Sequence, residues 1–160
     1  MQYNKSMNKR KDTYSVEIGN IKIGSKHPIR VQSMTNTDTS DVDKTVNQIM
    51  QLSDAGSELV RVTVNDEKSA KSVEKIKSIL LQNNYSVPIV GDFHFNGHTL
   101  LEDHQKMAKI LDKYRINPGN CDYAKDTDNN FTKFIKIAIK HNIMYLFICN
   151  TLKMTHASSL

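Results

Sequence analysis

Leu59 to Val64 reads LVRVTV and Val87 to Phe95 reads VPIVGDFHF, and both runs are rich in β-branched and aromatic residues. Three more runs of this kind lie at Pro28 to Met34, Tyr114 to Gly119 and Ile143 to Asn150, so the five starts are 31, 28, 27 and 29 residues apart. A short strand about every thirty residues, with a helix in each interval, is typical of repeated βα units.

The segments between these runs have the periodicity of amphipathic helices. We expect Ser40 to cap the first helix, with Asp43 at its N3 position and Gly56 at its end. Each segment has one apolar stripe; the four stripes are Val42, Val46, Ile49 and Met50; Ala70, Val73, Ile76 and Leu80; Leu101, His104, Ala108 and Leu111; and Phe131, Phe134, Ile135 and Ala138.

A β-hairpin is predicted ahead of the first unit, because Ser15 to Gly24 alternates apolar and polar residues around Gly19-Asn20. This hairpin is placed to close one end of a barrel or sheet. Four βα units and a fifth strand make a parallel α/β architecture, either an open doubly wound sheet or part of an eight-stranded barrel. A full barrel needs roughly 250 residues, so a chain of 160 supplies about five-eighths of one.

Polar residues occupy every second position of the predicted strands. In the first strand, for example, Arg30 and Gln32 face away from Ile29 and Val31. The polar positions of the four strands are Arg30 and Gln32 in the first, Arg61, Thr63 and Asn65 in the second, Asp92, His94 and Asn96 in the third, and Arg115 and Asn117 in the fourth. If the apolar positions pack on the helices, the polar positions point into the barrel. An isolated buried charge costs several kcal/mol, so such an interior implies a ligand or water.

Guanidinium groups on separate strands suit the oxygens of a phosphate, which predicts an anionic, phosphorylated small-molecule ligand. Arg61 and Arg115 are the strongest candidates. Three roles are open for His94: a neutral hydrogen-bond donor, a proton carrier, or a core histidine held by Asp92. Asp92 either orients His94 or accepts a hydrogen bond from a substrate hydroxyl. The alternative is an antiparallel sheet with a solvated polar face, which the intervening helices disfavour.

Two further features lie near the ends of these strands. Asn117 to Asn120 (NPGN) is a strong turn signal at a position where barrel enzymes hold catalytic residues, although turn formation alone also explains it. His94 and His98 are four residues apart, but a strand ends between them and Gly97 intervenes, so they are not expected to bind a metal.

Composition excludes several classes of protein. No apolar run approaches the roughly 20 residues of a membrane helix, and the basic start of the chain lacks the apolar segment of a secretory signal. The net charge of +5 includes a basic cluster before Asp12, but no aromatic residues interleave with it as in a nucleic-acid site. With only Cys121 and Cys149, a reducing, cytoplasmic location is expected, with neither a membrane nor a nucleic acid as partner.

Four ordered motifs resemble one family. They are Val31 to Thr39 (VQSMTNTDT), Val60 to Val64 (VRVTV), Gly91 to His98 (GDFHFNGH) and Lys113 to Asn120 (KYRINPGN). Over about residues 12 to 143 the chain looks like the N-terminal part of the 4-hydroxy-3-methylbut-2-enyl diphosphate synthases. The fold that this resemblance implies is a partial (β/α)8 TIM-type barrel of about four βα units plus a fifth strand, preceded by an N-terminal β-hairpin.

The resemblance also implies a chemistry. Members of this family bind methylerythritol cyclodiphosphate in the barrel and hold a 4Fe-4S cluster on three cysteines and a glutamate of a C-terminal domain. Flavodoxin or ferredoxin supplies the electrons with which these enzymes open the ring of the substrate reductively, with loss of water. This reaction belongs to the non-mevalonate route to isoprenoids. By motif position, Arg61 and Arg115 correspond to the arginines that bind the diphosphate, with Asp92, His94 and Asn117 as nearby polar contacts.

The resemblance fails abruptly after Ile143, where the arginine of the family's fifth strand is absent. Cys121 and Cys149 match none of the cluster cysteines, so no residue here is expected to ligate a metal. We therefore expect a basic, flexible N-terminus at 1–13, a partial TIM-barrel substrate-binding domain at 14–142 and a divergent tail at 143–160, with the iron-sulfur domain absent. A truncated product, such as one from a frameshift near Ile143, is one hypothesis.

Two functions follow from these expectations. The first is the substrate-binding part of the synthase, inactive alone; the second is a non-catalytic phospho-ligand binding module or a non-functional truncated product. Five of eight strands would leave two sheet edges uncovered, which favours aggregation or pairing with another chain, a homodimer included.

Overall fold

The structure is a computed structural model that describes residues 11–116 and 127–147. An antiparallel hairpin consists of β1 (Val16–Ile18) and β2 (Ile21–Ile23). The main sheet consists of β3 (Gln32–Met34), β4 (Leu59–Val64), β5 (Ile89–Phe93), β6 (Lys113–Ile116) and β7 (Met144–Phe147). The helices are α1 (Val42–Asp54), α2 (Glu67–Gln82), α3 (Gly97–Asp103), α4 (Gln105–Ile110) and α5 (Thr127–Lys140).

The strand order decides between the two parallel architectures. The main sheet runs β3-β4-β5-β6-β7 in chain order, and every neighbouring pair is parallel. The helices form one layer, because α1 contacts α2, α2 contacts α4, and α3 contacts α5. A doubly wound sheet reverses its strand order and is covered on both faces, whereas a barrel is wound sequentially with its helices outside. The predicted partial (β/α)8 TIM-type barrel with an N-terminal hairpin is confirmed.

The core lies between the helices and the outer face of the sheet. Val60, Val62 and Val64 are completely buried there, as the alternation of β4 predicted. Phe93 of β5 packs edge-to-face on Tyr114 of β6, with ring centroids 5.6 Å apart, and both rings pack on Phe134 of α5. Edge-to-face packing adds to the free energy that burial of these large rings provides. The helix layer is therefore fixed to the sheet by aromatic contacts.

The first helix begins one residue later than predicted. Its N-cap is Asp41, whose Oδ1 accepts from the backbone N–H of Lys44 at 3.2 Å. Ser40 instead donates from its backbone and its hydroxyl to Asp38, so its side chain is engaged in the preceding turn and is not the cap. Gly56 does follow the helix end, with a φ of +97° that a glycine adopts without strain.

The third predicted helix is two short helices. His104 has φ −112° and ψ 63°, which is not helical, and it separates α3 from α4. The Gln105 side chain donates to the carbonyls of Leu101 and Glu102, which have no helical partner at that break. Of the predicted stripe, Leu101, Ala108 and Leu111 are buried and His104 is only partly buried.

The first predicted strand is much shorter than Pro28 to Met34. Ile29 and Val31, expected to pack on helices, are 82% and 55% exposed. Arg30, expected inside the barrel, instead pairs with Glu58 and donates from Nε to the carbonyl of Lys22 in the hairpin. Because Glu58 also accepts from the N–H of Val31, it holds this segment by polar contacts at the edge of the sheet.

The hairpin covers the amino ends of the strands. Ile18 is 1% exposed and clusters with Leu59, the first residue of β4, and with Val90 of β5. Met144, the first residue of β7, packs against the same cluster. At the turn, a Cβ on Gly19 would lie 3.0 Å from both Pro88 and Asp112, so the hairpin sits directly against the residues that precede β5 and β6. One end of the barrel segment is thus closed.

We predict that Ile18→Ala destabilises the fold by about 3 kcal/mol, because it removes methyl groups from a fully buried contact between the hairpin and two strands. Urea denaturation followed by circular dichroism measures the change. Ile139→Ala is the matched control, since Ile139 is 64% exposed on α5 and should change stability by less than about 0.5 kcal/mol. Equal effects from both substitutions would contradict a buried hairpin.

The cap of α2 gives a second stability prediction. The Asp66 carboxylate accepts from the backbone N–H of Ser69 at 2.7 Å, and this bond lowers the pKa of Asp66. A lowered carboxyl pKa stabilises the fold above about pH 4, and that stabilisation is lost as pH falls through the folded-state value. Asp66→Ala should therefore cost about 1 kcal/mol at pH 7 and progressively less in acid.

Asp66→Asn is the control for this cap, because an asparagine accepts the same hydrogen bond without titrating. It should keep most of the stability at pH 7. Urea titrations at pH 7, 4 and 3 measure all three proteins, and an Asp66→Ala cost that did not shrink between pH 4 and pH 3 would refute the assignment.

Candidate anion-binding site

The register of the parallel sheet places the polar positions of three strands in two layers on the face opposite the helices. Arg61 of β4 is level with Val90 of β5, and Val90 is level with Lys113 of β6. One step nearer the carboxyl ends of the strands, Asp92 is level with Arg115. We call the Arg61–Lys113 row the lower layer and the Asp92–Arg115 row the upper layer.

A single carboxylate joins two of these strands. Arg115 Nη1 donates to Asp92 Oδ1 at 2.7 Å, and Arg61 Nε lies 3.4 Å from Asp92 Oδ2. The Asp92 side chain is 4% exposed, whereas the side chains of Arg61 and Arg115 are 24% and 18% exposed. Asp92 is therefore deeply buried between two guanidinium groups that retain some access to solvent.

Both arginines keep donors that the protein satisfies poorly. Arg61 donates from Nε and Nη2 to the thioether of Met34, at 3.2 and 2.9 Å, and sulfur is a weak acceptor. Arg115 Nε is buried and has no hydrogen-bond partner among the described residues. A buried donor without a partner costs about 1–3 kcal/mol. An anion on this face would satisfy these donors.

Lys113 was not among the predicted site residues, and the structure adds it. It is 7% exposed and has the same parity as Arg115, on the inner face. Burial lowers the pKa of Lys113, and the nearby charge of Arg61 lowers it further. A signal was present in the sequence, since Lys113 stands two positions before Arg115, but the predicted strand began at Tyr114 and omitted it.

His94 follows β5 at its carboxyl end and is partly buried. Its Nδ1 is buried without a hydrogen-bond partner in the described part of the chain, and no hydrogen bond joins it to Asp92. The Asp92 oxygens contact the two arginines, so the structure does not show a core histidine held by Asp92. Asn117, with the turn that follows it, lies outside the described residues.

The described residues do not fit an iron-sulfur cluster. Within 11–116 and 127–147, no three histidine, cysteine, aspartate or glutamate side chains come together as a metal site. Cys121 and Cys149 both lie outside these ranges. None of the described helices is both long and apolar enough to cross a bilayer.

Comparison with known families agrees with this geometry. A family profile described as the GcpE TIM-barrel domain matches residues 13–148, which includes the hairpin and all five strands of the main sheet. The chain belongs to the GcpE family. Its full-length members are iron-sulfur oxidoreductases of isoprenoid biosynthesis, and the matching profile describes their barrel domain. Arg61, Asp92 and Arg115 all lie inside the matched region.

Asp92 gives a prediction that needs no knowledge of the ligand. Asp92→Asn leaves Arg61 and Arg115 without their counter-charge, so we expect a loss of about 2 kcal/mol in stability. This is less than for a fully buried pair, because both guanidiniums retain some solvent contact. Added inorganic pyrophosphate should restore the melting temperature of the variant and shift that of the wild type less.

Thermal unfolding with and without pyrophosphate measures both effects. Sodium sulfate at equal ionic strength separates anion binding from general salt stabilisation. If pyrophosphate raised both melting temperatures equally, the three side chains would not form an anion site.

Proposed function

We propose that this chain binds methylerythritol cyclodiphosphate, as the substrate-binding part of a 4-hydroxy-3-methylbut-2-enyl diphosphate synthase. That enzyme opens the cyclic diphosphate reductively, with loss of water, in non-mevalonate isoprenoid biosynthesis. Membership of the GcpE family supports the substrate. The observation that carries the proposal is the pair of Arg61 and Arg115 around the single carboxylate of Asp92, with Lys113 in the neighbouring row of the same face.

The charges of site and substrate match. Three cations and one carboxylate share this face of the sheet, which leaves two positive charges unneutralised among these four residues. In a cyclic diphosphate each phosphorus carries an ester oxygen and a bridging oxygen, so each retains one ionised oxygen. Guanidinium groups bind such oxygens with paired, charge-assisted hydrogen bonds.

Asp92 positions the guanidiniums in this proposal. It holds Arg115 through Nη1 and lies near Arg61 Nε, so both side chains are ordered before a ligand arrives. Ordering long side chains in advance lowers the entropy cost of binding. Nη2 of Arg61, which the structure pairs only with a thioether, is then available for a phosphoryl oxygen.

The electrons for ring opening come from outside the described residues in this proposal. The family's 4Fe-4S cluster and its donor, flavodoxin or ferredoxin, supply the reducing chemistry, and no metal-ligand group occurs among the described residues. We therefore propose that the chain alone binds substrate without turning it over. A cytoplasmic location and association into a homodimer belong to the same proposal.

The second candidate is a phospho-ligand binding module without catalysis, or a truncated product without function. The basic inner face of the sheet supports this candidate too, because a general phospho-ligand module needs the same cations. Ligand selectivity separates the two. If the chain is the substrate-binding part of the synthase, methylerythritol cyclodiphosphate should bind more tightly than inorganic pyrophosphate. If it is a general phospho-ligand module, pyrophosphate should bind equally well or more tightly.

The test is calorimetric titration of the 160-residue chain with methylerythritol cyclodiphosphate. Arg61→Met and Arg115→Met should each weaken binding by about 10- to 100-fold, since each removes a charge-assisted contact. Lys75→Met is the control, because Lys75 is exposed on α2 and loses the same charge away from the site.

Circular dichroism of each variant verifies that the fold persists. Absence of binding by the folded wild-type chain would overturn the proposal. Turnover by the chain alone, with dithionite as reductant, would contradict the view that it only binds substrate.

A further inference from the structure

Lys113 lacks the carboxylate partner that several other lysines of the described chain have. Four exposed or partly buried lysines, Lys22, Lys44, Lys71 and Lys77, each lie within 3.0 Å of a carboxylate oxygen. Lys113 is only 7% exposed, and no hydrogen bond or ion pair of its ammonium is described, although Nζ is not among the fully buried side-chain atoms without a partner. Lysine is almost never buried without a partner, so this position needs an explanation.

The surroundings of Lys113 do not neutralise its charge. In register, its neighbours are Val90 on β5 and Met144 on β7, both apolar and both packed against the hairpin cluster. The described charge whose field acts on it is that of Arg61, which is also positive. Such an arrangement opposes folding, and proteins retain unfavourable charge of this kind mainly at functional sites.

We propose that Lys113 is a third anion-binding residue of this site, and that it acts with Arg61 on the phosphoryl group nearer the amino ends of the strands. The inference rests on the proposed function and deepens it. Arg61 and Lys113 flank Val90 in the lower layer, whereas Arg115 lies in the upper layer with Asp92. The guanidinium of Arg61 reaches Asp92 in the upper layer, so Arg61 joins the two layers and Lys113 marks the lower end of the site.

Charge counting supports the same assignment. Asp92 offsets one of the two arginines, so without Lys113 the cluster would hold a single excess positive charge. A cyclic diphosphate brings two negative charges. Lys113 supplies the second unit of positive charge, in a part of the barrel that the hairpin closes from below.

The substitution Lys113→Met should have different effects on ligand affinity depending on whether Lys113 has a structural role or binds the ligand. If the aliphatic stem of Lys113 only fills space, methionine replaces it and ligand affinity is unchanged. If the ammonium binds a phosphoryl group, affinity falls about 10- to 100-fold. The ligand-free variant is then as stable as the wild type or more stable, because a partly desolvated ammonium near the like charge of Arg61 is gone.

The experiment measures ligand-free melting temperature and affinity for methylerythritol cyclodiphosphate in the complete chain. The proteins are the wild type, Lys113→Met, Lys113→Arg and the exposed control Lys75→Met. We expect Lys113→Met to keep its melting temperature and lose affinity, Lys113→Arg to recover at least half of the loss on a logarithmic scale, and Lys75→Met to match the wild type.

The outcomes separate this inference from the proposed function. A wild-type chain that does not bind cyclodiphosphate defeats both. Tight wild-type binding with equal affinity in Lys113→Met overturns the role of Lys113 alone. Loss of the folded state in Lys113→Met also overturns it, because that result would show a lysine that stabilises the ligand-free protein.

Discussion

The site depends on one buried carboxylate that holds two guanidinium groups from the strands on either side of it. Asp92 stands on the middle strand of three, and its two oxygens face Arg61 on β4 and Arg115 on β6. Inside a protein these attractions are stronger than in water, and so are the repulsions between like charges. Asp92 makes it possible for three cations to share one face of the sheet, while leaving enough positive charge for an anion.

This arrangement requires parallel strands in sequential order. Only then do the inner positions of β4, β5 and β6 come level, so that Thr63 meets Asp92 and Asp92 meets Arg115. A shift of one residue would turn every inner side chain towards the helices. The aromatic contacts on the outer face oppose such a shift, because Phe93 and Tyr114 occupy the alternate positions of β5 and β6 and both pack on Phe134 of α5.

Stability and binding make opposite demands on the two faces of this sheet. The outer face buries apolar side chains completely and supplies the favourable free energy of folding. The inner face desolvates Lys113 near the like charge of Arg61 and leaves Arg115 Nε without an acceptor among the described residues, and both features reduce stability. The hairpin contributes to both demands, since Ile18 adds apolar burial and closes the lower end of the barrel segment.

The sequence by itself determined the class of fold and the central pair of the site. The thirty-residue spacing predicted the βα units, and the alternation in Leu59 to Val64 placed Arg61 on the inner face, because side chains of a strand alternate strictly between faces. Local patterns were sufficient wherever a strand is central. They failed at the first run, where Ile29 and Val31 are exposed beside the edge strand, since edge position is not encoded in alternation.

Only the tertiary structure decided which partners the polar residues have. From the sequence, Asp92 either orients His94 or accepts from a substrate hydroxyl, and the cross-strand register adds two arginines as its partners. The same register revealed Lys113, because burial depends on what neighbouring strands and the hairpin place around a residue. Distances between residues far apart in the chain are set by strand pairing, and no local pattern contains them.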